Sequence, residues 1–251
     1  MHRSALADAF LEFEESYGLW DVRAQGIDYW HEVRNDVWNS TLEALGMTSA
    51  PHKRLSELPL SQLIPRPLRS YPTLASRALN LRAPRADMLV LNHPRHVLDG
   101  ARYICPYSQP LLDGLPRTRV LVEGHYQGRY FTPSADESIV YVDPALVMAH
   151  ARFRLRHPRG DGLSSTEHAY IAGWSTQLAS ALGAAPPHAT LVRRVRTAVL
   201  ARLGLRDYYE RLLDRVRPKV IVNVVSYALV NMVLTRIARA RGIPVVELQH
   251  G

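Results

Sequence analysis

The stretch that most constrains the fold is the end of the chain. Arg217-Pro-Lys-Val-Ile-Val-Asn-Val-Val-Ser-Tyr227 leads into a helical pattern and then into Gly242-Ile-Pro-Val-Val-Glu-Leu-Gln-His-Gly251. Val220 to Val225 is apolar and β-branched, interrupted only by Asn223. Such a run suits a strand buried on both faces of a parallel sheet. From Ala228 to Arg241, Leu229, Val230, Val233, Leu234, Ile237 and Ala238 recur at helical spacing. Arg236, Arg239 and Arg241 gather toward the end, where cations suit the helix dipole. Gly242 stops the helix and Pro244 opens the next strand. A strand, a helix and a second strand in this order imply a parallel sheet with right-handed crossovers. Ligands of open parallel sheets collect outside the carboxyl ends of the strands. Ser226-Tyr227 and Gln249-His250-Gly251 lie at two such ends. The chain stops on this second turn, where a helix is expected next, so a longer protein of which this is the front part is expected.

The alternation extends backwards. Met88 to Leu91 reads as the first strand, followed by the polar loop Asn92-His93-Pro94-Arg95. No glycine-rich phosphate fingerprint follows it, so no dinucleotide site is expected. Asp99 to Pro110 reads as an irregular loop and Gln109 to Leu115 as a short helix. Strands are expected from Arg119 to Glu123, with Glu123-Gly-His after it, and from Ser138 to Asp143. Pro144 opens a helix to about Leu155. Ser164 and Glu167 have the spacing of a capping box for a helix reaching Leu182. Leu191 to Leu203 and Arg206 to Arg215 read as two further helices. The expected fold class is α/β, a Rossmann-like parallel sheet with flanking helices over residues 86–251.

Residues 1–85 have another character. Helices are expected over residues 4–17 and 29–45, the second ended by Gly46. Trp20, Trp30 and Trp38 make the region tryptophan-rich. Trp30 and Arg34, one turn apart, could form a platform for a sugar or lipid headgroup. The alternative is that the tryptophans are packing anchors. Thr48 to Pro72 holds five prolines and, with basic residues from Lys53 to Arg85, reads as an extended basic linker. An anionic membrane surface or a plain solvated connector both fit it. Residues 1–85 are therefore expected to be a helical extension and linker ahead of the α/β domain.

Charge and composition narrow the function. The net charge of +8 admits nucleic acid, an anionic membrane or phosphorylated small molecules as partners. The basic residues are scattered, and neither zinc-finger spacing nor an RNA-binding aromatic motif is present, so nucleic acid is set aside. Eleven histidines invite a metal, but there is no His-Glu-x-x-His, and Pro94 separates His93 from His96. No metal site is expected. The single Cys105 excludes an internal disulfide and fits a reducing cytoplasm. The opening residues carry acids inside their apolar stretch, so a signal peptide is not expected there. No run of about 18 apolar residues marks a transmembrane helix. Neither a Gly-x-Ser-x-Gly elbow nor a Walker lysine loop occurs. What remains are four polar loops at strand ends, Asn92-His-Pro-Arg95, Glu123-Gly-His125, Ser226-Tyr227 and Gln249-His-Gly251, with Asn92, His93, Arg95, Ser226, Tyr227, Gln249 and Gly251 as candidate substrate-binding residues. His250 is the best-placed candidate for general-base chemistry, beside a glycine that lets a ligand approach the backbone. A histidine that only caps the turn is the alternative.

The ending Lys219-Val-Ile-Val through Arg241-Gly-Ile-Pro-Val-Val-Glu-Leu-Gln-His-Gly251 resembles the close of the first domain in GT-B-type glycosyltransferases. It is similar in particular to capsule and surface-polysaccharide transferases and to the related CDP-glycerol polymerases. Leu91-Asn-His-Pro-Arg95, Asp99-Gly-Ala-Arg-Tyr-Ile-Cys-Pro-Tyr-Ser-Gln-Pro-Leu-Leu112 and Ile27-Asp-Tyr-Trp-His-Glu-Val-Arg34 resemble surface-carbohydrate proteins of the same kind. The resemblance implies a cleft between two Rossmann-like domains. The second domain binds most of a nucleotide-sugar donor, and the first binds mostly a glycan or glycolipid acceptor. On that pattern His250 is a base for the acceptor hydroxyl or a contact to donor phosphate. Helix dipoles and basic side chains hold the diphosphate, so no cofactor is expected. A cytoplasmic protein, peripheral at the inner face of the membrane, is implied. These residues alone, without a second domain, are expected to be nearly inert. Two other functions fit the same residues: a non-catalytic module binding an anionic sugar or a partner protein, and a CDP-glycerol-type phosphopolyol transferase.

Overall fold

The computed structural model describes residues 3–47, 83–115, 118–124, 130–131, 134, 138–156 and 162–248. In chain order its elements are α1 (Arg3–Ser16), a 3-10 turn (Leu19–Asp21), β1 (Arg23–Ala24), β2 (Ile27–Asp28), α2 (Trp30–Ala44), β3 (Met88–Leu91), β4 (Val97–Asp99), β5 (Arg102–Ile104), α3 (Gln109–Asp113), β6 (Arg119–Glu123), β7 (Ile139–Tyr141), α4 (Asp143–Arg156), α5 (Ser165–Leu182), α6 (His188–Val216), β8 (Val220–Asn223), α7 (Leu229–Ala240) and β9 (Val245–Glu247). Contacts divide the chain into two units. One joins residues 1–53 to 153–202, and the other joins 54–152 to 203–251. Of the three dividing points, two fall inside α4 and inside α6.

The first unit is helical. Phe10, Phe13 and Trp30 are buried, and Trp30 meets Trp174 of α5 edge-on at 5.2 Å. Glu14 is 1% exposed. Its carboxylate accepts hydrogen bonds from Trp30 Nε1 at 2.7 Å and Arg34 Nη2 at 2.8 Å. A buried carboxylate needs such donors, because desolvation disfavours its charge. Trp30 therefore anchors packing and offers no face to a ligand. Trp20 is 50% exposed instead, with the Arg34 guanidinium 5.7 Å from its ring centroid.

This unit differs from the extension expected over residues 1–85. The apolar faces of α1 and α2 need a partner, and much of it comes from α5. Tyr170 donates to Tyr17 O at 2.9 Å, and Gln25 N donates to Glu167 Oε1 at 3.0 Å. The Ser164–Glu167 capping box is present as expected and starts α5. The proline-rich basic linker lies outside the described residues.

The second unit contains the sheet. Five parallel strands run in the order β7-β6-β3-β8-β9. Numbered by their appearance within this sheet, the strands stand as 3-2-1-4-5, the arrangement of Rossmann sheets. Leu89 is in register with Val120 on one side and Ile221 on the other, and all three are fully buried. Val90, Leu112, Leu121 and Val222 form a core cluster, with Met88, Ile139 and Leu248 packed against it. Burial on both faces is why these strands read as unbroken apolar runs. The expected α/β class with a Rossmann-like parallel sheet and flanking helices is present.

Two local expectations are corrected. Residues 99–104, expected as the start of an irregular loop, join Val97 and Leu98 in the antiparallel hairpin β4–β5, turning at Gly100 with φ +58°. The left-handed backbone there costs glycine little. Residues 191–215, expected as two helices, lie within the single helix α6. Gly204 lies inside it, at a point of close packing. A Cβ there would come within 2.0 Å of Ala149 Cβ on α4. Tyr208, one turn on, donates to Tyr141 O at 3.3 Å and ties α6 to the end of β7. Burial, with the charge of Asp143, pushes its phenol well above the usual tyrosine range.

Candidate functional site

The strand order places one topological switch point. β3 is followed by a connection toward β6 and β7, and β8 by one toward β9, so the loops leaving β3 and β8 depart in opposite directions. A crevice at such a point is where doubly wound sheets bind ligands. The residues after β3 are Asn92 to His96, and those after β8 are Val224 to Ala228.

Asn92 extends the ladder one residue beyond β3, its N–H donating to Val122 O at 3.1 Å. Its side chain is buried and hydrogen-bonded at both its amide nitrogen and its oxygen. Nδ2 donates to Glu123 Oε1 at 2.8 Å, and Oδ1 accepts from the Ser108 hydroxyl. Glu123 ends β6, and the same Oε1 lies 3.1 Å from His96 Nε2. The His96 and Glu123 side chains are 2% and 4% exposed. The other ring nitrogen of His96 lies 3.4 Å from Pro94 O, and Phe131 stacks on the ring at 4.9 Å. A charged carboxylate at this depth is tolerable only when paired and hydrogen-bonded.

His93 sits at the middle of the loop. Its Nδ1 accepts from Arg95 N at 2.9 Å, which assigns the ring proton of the neutral form to Nε2. Tyr107 packs on the ring at 4.6 Å. Arg95 itself is exposed.

The other wall follows β8. Asn223, buried at the strand end, accepts from Val225 N at 3.1 Å and from Asn231 Nδ2 at 3.2 Å. It also donates to Thr235 Oγ1 at 3.3 Å. Asn231 donates to Val225 O at 3.0 Å, so two buried amides shape the turn into α7. The Ser226 hydroxyl donates to Glu247 Oε1 at the end of β9, and Tyr227 is exposed beside it. Leu248 N donates to Asn223 O at 2.9 Å. Leu248, just after β9, thus lies against the end of β8.

Of the residues singled out from the sequence, Asn92, His93 and Arg95 share the loop after β3. Ser226 and Tyr227 share the one after the adjacent β8. Gln249, His250 and Gly251 lie outside the described residues. Sequence reasoning left Ser108, His96 and Glu247 out of the site, and it counted Glu123 only as part of a polar strand-end loop, not as a binding residue. The signal for Glu123 was present: an acid closing an apolar strand. Among the described residues no three His, Cys, Asp or Glu side chains group as metal ligands. No helix among them is long and apolar enough to cross a membrane.

Compared with family models, curated proteins and solved structures, the chain matches none. Its fold assignment therefore stands on the strand order and register themselves.

Proposed function

We propose that the chain is the acceptor-side part of a GT-B-type glycosyltransferase. The enzyme transfers a sugar from a nucleotide-activated donor to a surface polysaccharide or glycolipid. What most supports this is the switch point. A 3-2-1-4-5 parallel sheet opens between β3 and β8, where Asn92–Arg95 and Ser226–Tyr227 supply polar groups. The motif Gln249-His250-Gly251 adds its resemblance to the family. In this mechanism His250 takes the proton of an acceptor hydroxyl. The acceptor oxygen bonds to the anomeric carbon, the bond from that carbon to the diphosphate breaks, and the nucleoside diphosphate leaves with the electron pair. Arg95 and the N-terminus of α7 suit the charge that develops on the leaving group. A glycolipid acceptor brings the protein to the cytoplasmic face of the membrane. The basic charge of residues 53–85 favours that surface.

The test is a transfer assay on the protein as its gene encodes it, with a panel of nucleotide-activated sugars and CDP-glycerol offered to glycan and glycolipid acceptors. Sugar transfer is expected, with kcat reduced about a hundredfold in His250→Ala, as loss of a general base requires. Transfer of polyol phosphate from CDP-glycerol alone would move the protein to the phosphopolyol class. Full activity in His250→Ala would remove the base assignment.

A further inference from the structure

Both loops at the switch point are tied to a carboxylate on the next strand outward. The loop after β3 is held by Glu123 at the end of β6, and the loop after β8 by Glu247 at the end of β9. The two ties differ in depth. Glu247 is exposed, and an exposed contact contributes little. Glu123 is buried and gathers two segments. Asn92 and His96 bind its Oε1 directly, and Ser108 joins through Asn92. His93 lies between Asn92 and His96 in the chain, so its backbone is fixed on both sides.

We propose that Glu123 is a positioning residue: it presets the Asn92–His96 loop, and with it the ring of His93, in the geometry that receives the ligand. Its importance to transfer rests on the glycosyltransferase proposal; its role in setting the loop does not. The physical reason is the cost of disorder. Opening the loop strips a buried carboxylate of both donors and leaves the Ser108 hydroxyl unpartnered, and each such loss is expensive. A ligand then meets a loop already ordered, and the affinity lost to ordering is saved.

The experiment compares Glu123→Gln and Glu247→Gln in the full protein without any substrate. Amide hydrogen exchange is followed over residues 92–96 and 105–108, with the imidazole nitrogen shifts of His96. In Glu123→Gln the amide can still accept from Asn92 but carries no charge for His96. Exchange over both segments is expected to rise about tenfold, while β8 and α7 keep wild-type protection. The His96 nitrogen shifts are expected to move. Glu247→Gln should leave both segments unchanged. Wild-type exchange and His96 shifts in a folded Glu123→Gln overturn the assignment. If Glu123→Gln does not fold, Ser108→Ala, a neutral change, decides the matter: faster exchange over residues 92–96 supports it, and unchanged exchange overturns it. With an active transferase, Glu123→Gln is expected to raise KM about tenfold with a smaller change in kcat. Failure of transfer in the wild type removes the glycosyltransferase proposal without touching the exchange result.

Discussion

Replacing Gly204 by valine is expected to lower stability by about 3 kcal/mol or more, at or above the usual range for overpacking. Propensity alone points the other way, since glycine inside a helix is about 1 kcal/mol worse than alanine. Packing decides the sign. A Cβ at Gly204 would sit 2.0 Å from Ala149 Cβ and 3.1 Å from Ala149 Cα. The obstacle includes backbone, so no side-chain rotation relieves it; α6 must shift away from α4. Such a shift also pulls on Tyr208, which anchors α6 to Tyr141 at the end of β7. Gly204→Ala should destabilise too, by less than valine. Urea denaturation of the two variants measures this, and a raised midpoint for Gly204→Ala would show that the close approach is not made.

Trp30→Ala is expected to cost about 3–5 kcal/mol, the range for removing a large aromatic from a core. Three buried rings pack on it: Phe10, Phe13 and Trp174. Its indole N–H is also one of the donors that satisfy the buried Glu14 carboxylate, so the variant leaves both a void and a depleted charge. Trp20→Ala is the comparison. That ring is half exposed and touched by the Arg34 guanidinium, so about 1 kcal/mol is expected. Thermal unfolding of both variants separates packing from surface. Equal losses would mean that the burial of Trp30 does not stabilise the protein.

The sheet was legible because parallel strands buried on both faces leave continuous apolar runs, as at Leu89–Leu91 and Val220–Val222. Their order was not legible. Nothing in those runs says that β8 pairs with β3 rather than with β7. The β4–β5 hairpin was missed for a related reason: Val97, Leu98 and Asp99 are exposed, so no buried alternation marks them. The helical unit needed a partner distant in the chain, since Tyr17 and Tyr170 are 153 residues apart. In the candidate site, Asn92, His93, Ser226 and Tyr227 could be found because polar residues following apolar strands fall at strand ends. Glu123 lies 31 residues from Asn92, and only the parallel pairing of β3 with β6 brings them together. Asn223 stood out as a lone polar residue in an apolar run. Its role, shaping the turn into α7 with Asn231, follows from the helix geometry and not from its own position.

The central claim is that ligand enters between the loops leaving β3 and β8. Amide chemical-shift mapping of the full protein with a nucleotide-activated sugar and a glycan acceptor tests it most directly. The expected perturbations concentrate on residues 92–96, 123–124 and 223–228, with the helical unit of residues 3–47 and 162–202 unmoved. Perturbations confined to that helical unit, or none at saturating ligand, would contradict it.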